Sequence, residues 1–333
     1  MNSFNSYNAN LNKRKNVTAL QIMVNNQLQN IIPTSGVYTL YLKSTATFSI
    51  NKSIPIDFTL VSGGGGCGTG NGGICGAGGG GGHVFNYYGY NVTASTAYYF
   101  NIGTGGTAIN GYTSGSYSNK TLLDTYIKMT NSSGATAQDS NSNLLTTTFS
   151  TYGGGGGQGY GGRWWDGMGG NGSLSQGGLS TTITNYAPGG GGGVQTVIKS
   201  GTRTNNSGNK GSNSISTSGG AGGEGHTGID NNYYGGGGAG GAMGTTNPGA
   251  IGGKGGGQNG NNFTASTPTG RYNINGTPYV LPPRTGAIGE QGGGGGGVVT
   301  NSTGYTVVQT PEANFVIGTT GAEGIAIIKI KYP

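Results

Sequence analysis

Glycine runs in nearly unbroken blocks along most of this chain, beginning with VSGGGGCGTGNGGICGAGGGGG at 61–82. Such a block brings no side chains to a hydrophobic core, and glycine loses more conformational freedom on ordering than any other residue. It orders only if something collective holds it, and the one polar group each glycine keeps is its peptide. Further blocks stand at 153–162, 167–172, 189–193, 219–225, 235–241, 252–257 and 292–297, separated by inserts of variable length. No fixed repeat period emerges and glycine does not occupy every third position, so neither a regular solenoid nor a collagen triplet fits.

The extended, three-residue-per-turn helix of the polyproline II kind makes no internal hydrogen bonds and points each N–H and C=O outward. Several such helices side by side can satisfy one another. Only glycine lets their backbones approach closely on every side, with weak Cα–H···O contacts added. At roughly 3.1 Å per residue a six-residue block spans about 19 Å, so blocks of similar length can stack as a slab. The alternative is a set of flexible linkers. Composition argues for order: charged residues are 8% of the 333, whereas there are 20 Tyr, 8 Phe and 2 Trp, unlike the charge-rich, aromatic-poor make-up of disordered chains.

Strand patterns bracket the blocks. VYTLYLKS, ATFSINKS and IPIDFTLVS lead into the first, with Ile56, Phe58 and Leu60 on one side and Asp57 and Thr59 on the other. GHVFNYYGYNVT, TAYYFNIGTGG, TYIKMTN and LLTTTFSTY follow it, and YNINGTPYV offers a two-residue hairpin turn at Asn275-Gly276. The chain ends in GIAIIKIKYP, a strand with Ile328, Ile330 and Tyr332 on one face and Lys329 and Lys331 on the other. Residues 1–33 read as an attachment arm ahead of a glycine-rich domain at 34–333. In that arm Val17, Leu20, Val24, Leu28 and Ile31 fall at three- and four-residue steps, which fits an amphipathic helix, with a disordered or strand-forming leader as the alternatives. The expected fold is all-β, with short antiparallel strands capping a slab of packed polyglycine II helices and very little α-helix.

The ordered succession FTLVSGGGGCG, YYFNIGTGG, spaced glycine blocks and GAEGIAIIKIKY resembles the glycine-rich domain family of bacteriophage tail-fibre adhesins and related virion surface proteins. The likeness covers about residues 36–332. It implies a sandwich of polyglycine II helices capped by β-structure, with variable loops that in the adhesins contact the host. The long Asn/Ser/Thr/Tyr-rich inserts depart from the phage pattern, leaving a fibre, appendage or minor capsid role, or a host-binding tip, as the implied functions. Implied partners are further copies of the chain, with a trimer suggested by analogy to fibre proteins, other virion proteins, and a host surface glycan or protein. The implied location is the virion surface, with an extracellular filament or matrix as the other reading.

Other chemistry finds little footing. The net charge of +7 is spread over 16 basic residues, with Lys13-Arg14-Lys15 as the sole run, so no basic stripe suggests nucleic acid. No segment has the apolar length of a membrane span, and the opening residues lack a signal peptide's apolar run, so classical secretion is not expected. GTGNGG at 68–73 matches a dinucleotide fingerprint without the following helix that would bind the pyrophosphate, and Lys254 in GGKGGG is followed by Gly where a P-loop has Ser or Thr. Cys67 and Cys75 lie too far apart for the short spacing of a structural zinc site. They either form a disulfide in an oxidising compartment or sit as small thiols among glycines. Nine scattered carboxylates give no acid pair, so no catalytic, cofactor or metal residues are assigned and no enzyme is expected. The candidate contact residues are aromatic. YGGRWWDG supplies Tyr160, Arg163, Trp164 and Trp165, and DNNYYG supplies Tyr233 and Tyr234, with NYYGY at 86–90 as a weaker cluster. These either contact a host or cap the slab and pack between subunits.

Overall fold

A computed structural model describes residues 19–32, 36–66, 77–100, 102–103, 105–106, 189–213, 219–240, 250–257, 292–293 and 321–332, together with the backbone of short strands elsewhere. The strands are β1 (Leu20–Val24), β2 (Gln27–Ile32), β3 (Gly36–Leu42), β4 (Ala46–Ile50), β5 (Ile54–Val61), β6 (Val84–Val92), β7 (Tyr98–Phe100), β8 (Met129–Asn131), β9 (Ala137–Gln138) and β10 (Leu144–Leu145). There follow β11 (Gln195–Lys199), β12 (Thr202–Asn206), β13 (His226–Thr227), β14 (Tyr233–Tyr234), β15 (Ala242–Met243), β16 (Asn262–Phe263), β17 (Tyr272–Ile274), β18 (Thr277–Tyr279), β19 (Val307–Thr310), β20 (Ala313–Val316) and β21 (Ile325–Tyr332). The described residues contain no helix, so the fold is all-β, and none of their segments is a helix long and apolar enough to cross a membrane.

Two sheets form a sandwich. The larger has strand order β12-β11-β6-β5-β21-β3 and the smaller β2-β1-β4-β7-β8. Every pairing in them is antiparallel except β6 with β11, which run parallel. Between the sheets lie Leu20, Ile22, Phe48, Ile50 and Phe100 from one and Ile56, Phe58, Leu60, Phe85, Tyr90, Ile328 and Ile330 from the other. Phe58 stacks on Phe85 and Tyr87 and meets Tyr90 edge-on, and Tyr90 reaches across to Tyr98 at 6.2 Å between ring centroids. Such aromatic pairs add to the area they bury.

The leader is a strand pair, where an amphipathic helix was one of the expected alternatives. Asn25 and Asn26 both have positive φ, 51° and 61°, which makes the two-residue hairpin turn joining β1 to β2. The three-to-four spacing was produced by two alternating strands placed end to end. Leu20 and Ile22 enter the core while Leu28 and Ile31 stay exposed, and β1 pairs with β4. Residues 20–32 of the expected arm therefore share the core of the residues that follow. Ser200-Gly201 closes β11–β12 in the same way, and the pairing of Ile274 with Thr277 places Asn275-Gly276 between paired strands, as the dipeptide predicts.

The polar side of β5 is not an outer surface. Asp57 and Thr59 are 8% and 0% exposed, because the second face of the large sheet is covered too. There Val61, Val84, Ile325 and Ile327 pack against Ile229 and Tyr234. A bulge in β6 allows its aromatics to serve this arrangement. The register passes from Tyr87 opposite Phe58 to Tyr90 opposite Ile56, with Gly89 at φ 74° and its N–H donated to the Asp57 carboxylate at 2.9 Å. The extra residue resets the period-two alternation, so Phe85 and Tyr87 before it and Tyr90 and Val92 after it all face the same core. Of the NYYGY cluster, Asn86 and Tyr90 are therefore buried, while Tyr87 and Tyr88 are half-buried on opposite faces of the sheet.

The glycine blocks extend the sheet. β5 runs into 62–66, while β6, β11 and β21 are each preceded by a block, at 77–83, 189–194 and 321–324. Given the strand directions, all four leave the same end of the sheet and keep its order. Gly81 donates to Gly191, Gly65 to Gly80 and Gly64 to Ala322, at 2.8–2.9 Å. Beyond this layer the pattern becomes three-sided. The successive amides of Gly236, Gly237 and Gly238 donate to Gly255, Gly223 and Gly79, which lie in three separate blocks. Bonds to one neighbour recur every third residue: Gly190 and Gly193 reach Gly238 and Gly235, and Gly189 and Gly192 reach Ser212 and Asn209. Period three with no internal bonds is the polyglycine II signature. A Cβ added at Gly64, Gly190, Gly193, Gly223 or Gly237 would come closer than 3.0 Å to a neighbouring backbone atom, so the absence of side chains is what permits the lattice. The blocks at 153–162 and 167–172 lie outside the described residues.

Candidate interaction surface

Of the contact residues expected from sequence, the structure describes Tyr233 and Tyr234 and separates them. Strand alternation in β14 turns Tyr234 inward, where it is 0% exposed, and leaves Tyr233 40% exposed. Tyr234 is thus a core residue, which corrects its assignment to the surface. Its hydroxyl donates to Asp230 Oδ2 at 2.7 Å, and the same oxygen accepts from Asn232 Nδ2 at 2.7 Å and from the Tyr41 hydroxyl at 3.4 Å. Burial first, then the bond to Asp230 and its charge, push the Tyr234 hydroxyl well above the ordinary tyrosine range; burial and Asp230 raise Tyr41 in the same direction. Both phenols stay protonated and donating, which fixes the segment carrying Tyr233.

A second set of bonds anchors this segment to the sheet. Thr59 Oγ1 donates to Asn86 Oδ1 at 2.7 Å and accepts the Ile229 N–H at 2.9 Å. Asn86 Nδ2 and Gln195 Nε2 both donate to the Thr227 carbonyl, at 2.9 and 2.8 Å. Three neighbouring strands, β5, β6 and β11, therefore hold residues 227–229 by side chains aimed away from the sandwich core. Thr59 and Asn86 were legible as strand residues, but their task depends on a segment 141–170 positions away; Gln195, 32 positions away, lies in a strand the sequence reading did not pick out.

Tyr233 has a cation beside it. Lys254 Nζ lies 5.4 Å from its ring centroid, within the reach of a cation–π contact. Lys254 belongs to the block at 252–257, and the carbonyls of Ile251 and Lys254 accept from Gly222 and Gly225 at 3.0 and 2.9 Å. In a three-residue turn, positions 251 and 254 share a side, and both side chains are exposed, Ile251 by 72%. The result is a small outward patch of one aromatic, one cation and one aliphatic group on a rigid backing. Sequence reading missed Lys254 and Ile251; their three-residue spacing at the edge of a glycine block was the available signal. Tyr160, Arg163, Trp164, Trp165, Cys67 and Cys75 lie outside the described residues, as does the GTGNGG stretch.

At the junction of slab and sheet, His83 is 4% exposed. Its backbone N–H donates to Ser62 Oγ at 2.8 Å, its Nε2 lies 3.0 Å from Thr196 Oγ1, and Thr196 donates on to Asn205 Oδ1 at 2.9 Å. Nδ1 has no partner. Burial, with smaller contributions from Arg203 and His226, pushes its pKa down to about 4, so the imidazole is neutral at physiological pH. No family model, curated protein or solved structure matches the chain.

Proposed function

We propose that this chain is a non-enzymatic virion surface component, a fibre, appendage or minor capsid protein, in which a rigid glycine slab displays loops. The observation that carries the reading is the lattice itself. Blocks distant in sequence bond to several neighbours at period three, an arrangement that stiffens a body by cross-bonding it on several sides. The resemblance of its ordered motifs to those of tail-fibre adhesins and related virion proteins suggests the setting. Immunogold labelling of intact, purified virus particles from the culture that makes the chain tests it. Gold on the outer surface is expected; label confined to unassembled cell protein would refute the reading.

A host-binding tip is the second reading, favoured by the exposed Tyr233–Lys254–Ile251 patch. An aromatic face beside a cation on a fixed backing suits a sugar bearing a carboxylate, or a protein surface of similar chemistry. Binding of the purified protein to host cells, reduced in Tyr233→Ala with Lys254→Ala or in Trp164→Ala with Trp165→Ala, is the expected outcome. Unchanged binding in both double variants removes these residues from the interface.

A further inference from the structure

One edge of the large sheet is open. All five residues of β12 are exposed, and of the usual guards of an edge the strand has only the charge of Arg203: there is no proline, no lysine and no bulge within Thr202–Asn206. Which of its backbone groups face outward follows from the hairpin. The two-residue turn at Ser200-Gly201 directs the Thr202 N–H back to β11, and antiparallel alternation directs Thr204 the same way. The N–H and C=O groups of Arg203 and Asn205 are left pointing away from the sheet, with no backbone partner among the described residues.

We infer that β12 is a self-association strand, pairing antiparallel with β12 of a second copy about a two-fold axis through Thr204. The inference rests on the fibre, appendage or capsid role proposed above and gives it an interface between copies. The outward groups are self-complementary in this register. Arg203 falls opposite Asn205 of the other copy and exchanges both main-chain bonds with it, while Thr204 meets its own counterpart in the non-hydrogen-bonded site, where side chains approach most closely. Thr–Thr is a favourable cross-strand pair, whereas like charges directly opposite are destabilising. This register avoids the latter, because the one charge of the strand, Arg203, lies across from an amide. The pairing would continue a six-stranded sheet into the second copy without disturbing either core. A five-residue edge is small beside a standard interface of about 1,600 Å², so association is weak in dilute solution and becomes effective when copies are arrayed together.

Cysteine trapping on the full chain tests the register. Under mild oxidation, with mass spectrometry to identify the bond, Thr204→Cys is expected to form a 204–204 disulfide. Thr202→Cys and Asn206→Cys alone are expected not to self-link, but to link to each other when mixed. Equal trapping at all three positions, or none at 204, overturns the inference. Arg203→Pro removes an outward N–H without touching the bonds to β11, and with it half of the main-chain bonds across the pair. In the Thr204→Cys background it should lower trapping by about tenfold or more. If the proline variant misfolds by near-ultraviolet circular dichroism, the cysteine register still decides. Failure of trapping with positive surface labelling would remove this interface and leave the virion role standing; the reverse result would do the opposite.

Discussion

Gly237→Ala gives a test whose sign, and not only its size, depends on the slab. Gly237 has no positive φ, so alanine can adopt its backbone conformation, and the obstacle is space alone. The new methyl would lie within 3.0 Å of the carbonyl oxygens of Gly190 and Gly191, both backbone atoms that cannot swing aside. Admitting it requires the 189–193 and 235–240 blocks to part. That stretches the bonds from Gly190 to Gly238 and from Gly193 to Gly235, and the shift of the 235–240 block strains its bond from Gly237 to Gly223 in the third block, each 2.7 Å long. At about 1 kcal/mol of net stability per bond the loss is roughly 3 kcal/mol. Alanine's less flexible unfolded chain returns about 0.4–1 kcal/mol, leaving a net destabilisation of about 2 kcal/mol. In a flexible linker only the second term exists, and the same substitution is neutral or stabilising.

Equilibrium denaturation followed by tyrosine fluorescence measures the difference, and hydrogen exchange at Gly190, Gly193 and Gly238 locates it. Ala239→Gly is the companion variant. Ala239 is 0% exposed in the same block, so removing its methyl should also destabilise, by about 1 kcal/mol from lost packing and added chain entropy. A Gly237→Ala protein as stable as the parent, with unaltered exchange, would refute the packed-slab argument.

Acid should weaken the fold through His83. Its folded pKa lies below the unfolded value, so stability is complete above about pH 6.5 and is lost as pH falls toward 4; carrying the pKa from 6.5 to about 4 corresponds to roughly 3 kcal/mol. The denaturation midpoint measured across that range in the parent and in His83→Asn checks this, the variant being expected to lose most of the slope. Thr59→Val keeps the shape of the side chain but strands the Ile229 N–H and the Asn86 amide, and should cost about 2–4 kcal/mol in thermal or denaturant unfolding. Faster hydrogen exchange at 227–229 should accompany it. For the tyrosine pair, Tyr234→Phe is expected to destabilise by about 1–2 kcal/mol through loss of the Asp230 bond. Tyr233→Ala should leave the midpoint within about 0.5 kcal/mol, and equal effects of the two would contradict their assignment to core and surface.

Much of this architecture was legible in the residues because it follows from local chemistry. The alternation in IPIDFTLVS and GIAIIKIKY, the Asn-Gly turn and the requirement that glycine blocks satisfy their own peptides all act within a few positions. The leader stayed ambiguous between helix and strand because two short strands in series imitate helical spacing, and only the paired Asn25-Asn26 turn marks the break. NYYGY is divided for a related reason: the bulge at Gly89 brings both Tyr87 and Tyr90 to the core face and leaves Tyr88 on the other, and the bulge is held by Asp57 on another strand.

What the sequence determined by itself is that glycine blocks, if ordered, must satisfy their own peptides against one another beside short aromatic strands. It did not determine which block neighbours which, since glycines carry no side-chain code to tell one block from another. That choice belongs to the tertiary structure: strands β11, β6, β5 and β21 fix the order in which the first blocks leave the sheet, and the described blocks at 219–225, 235–240 and 252–257 fill bonding sites so created. The same distance effect decided the fate of Asp57, Thr59 and Tyr234. Their polar groups are buried because a segment far along the chain supplies partners for them, and no local pattern records that partner.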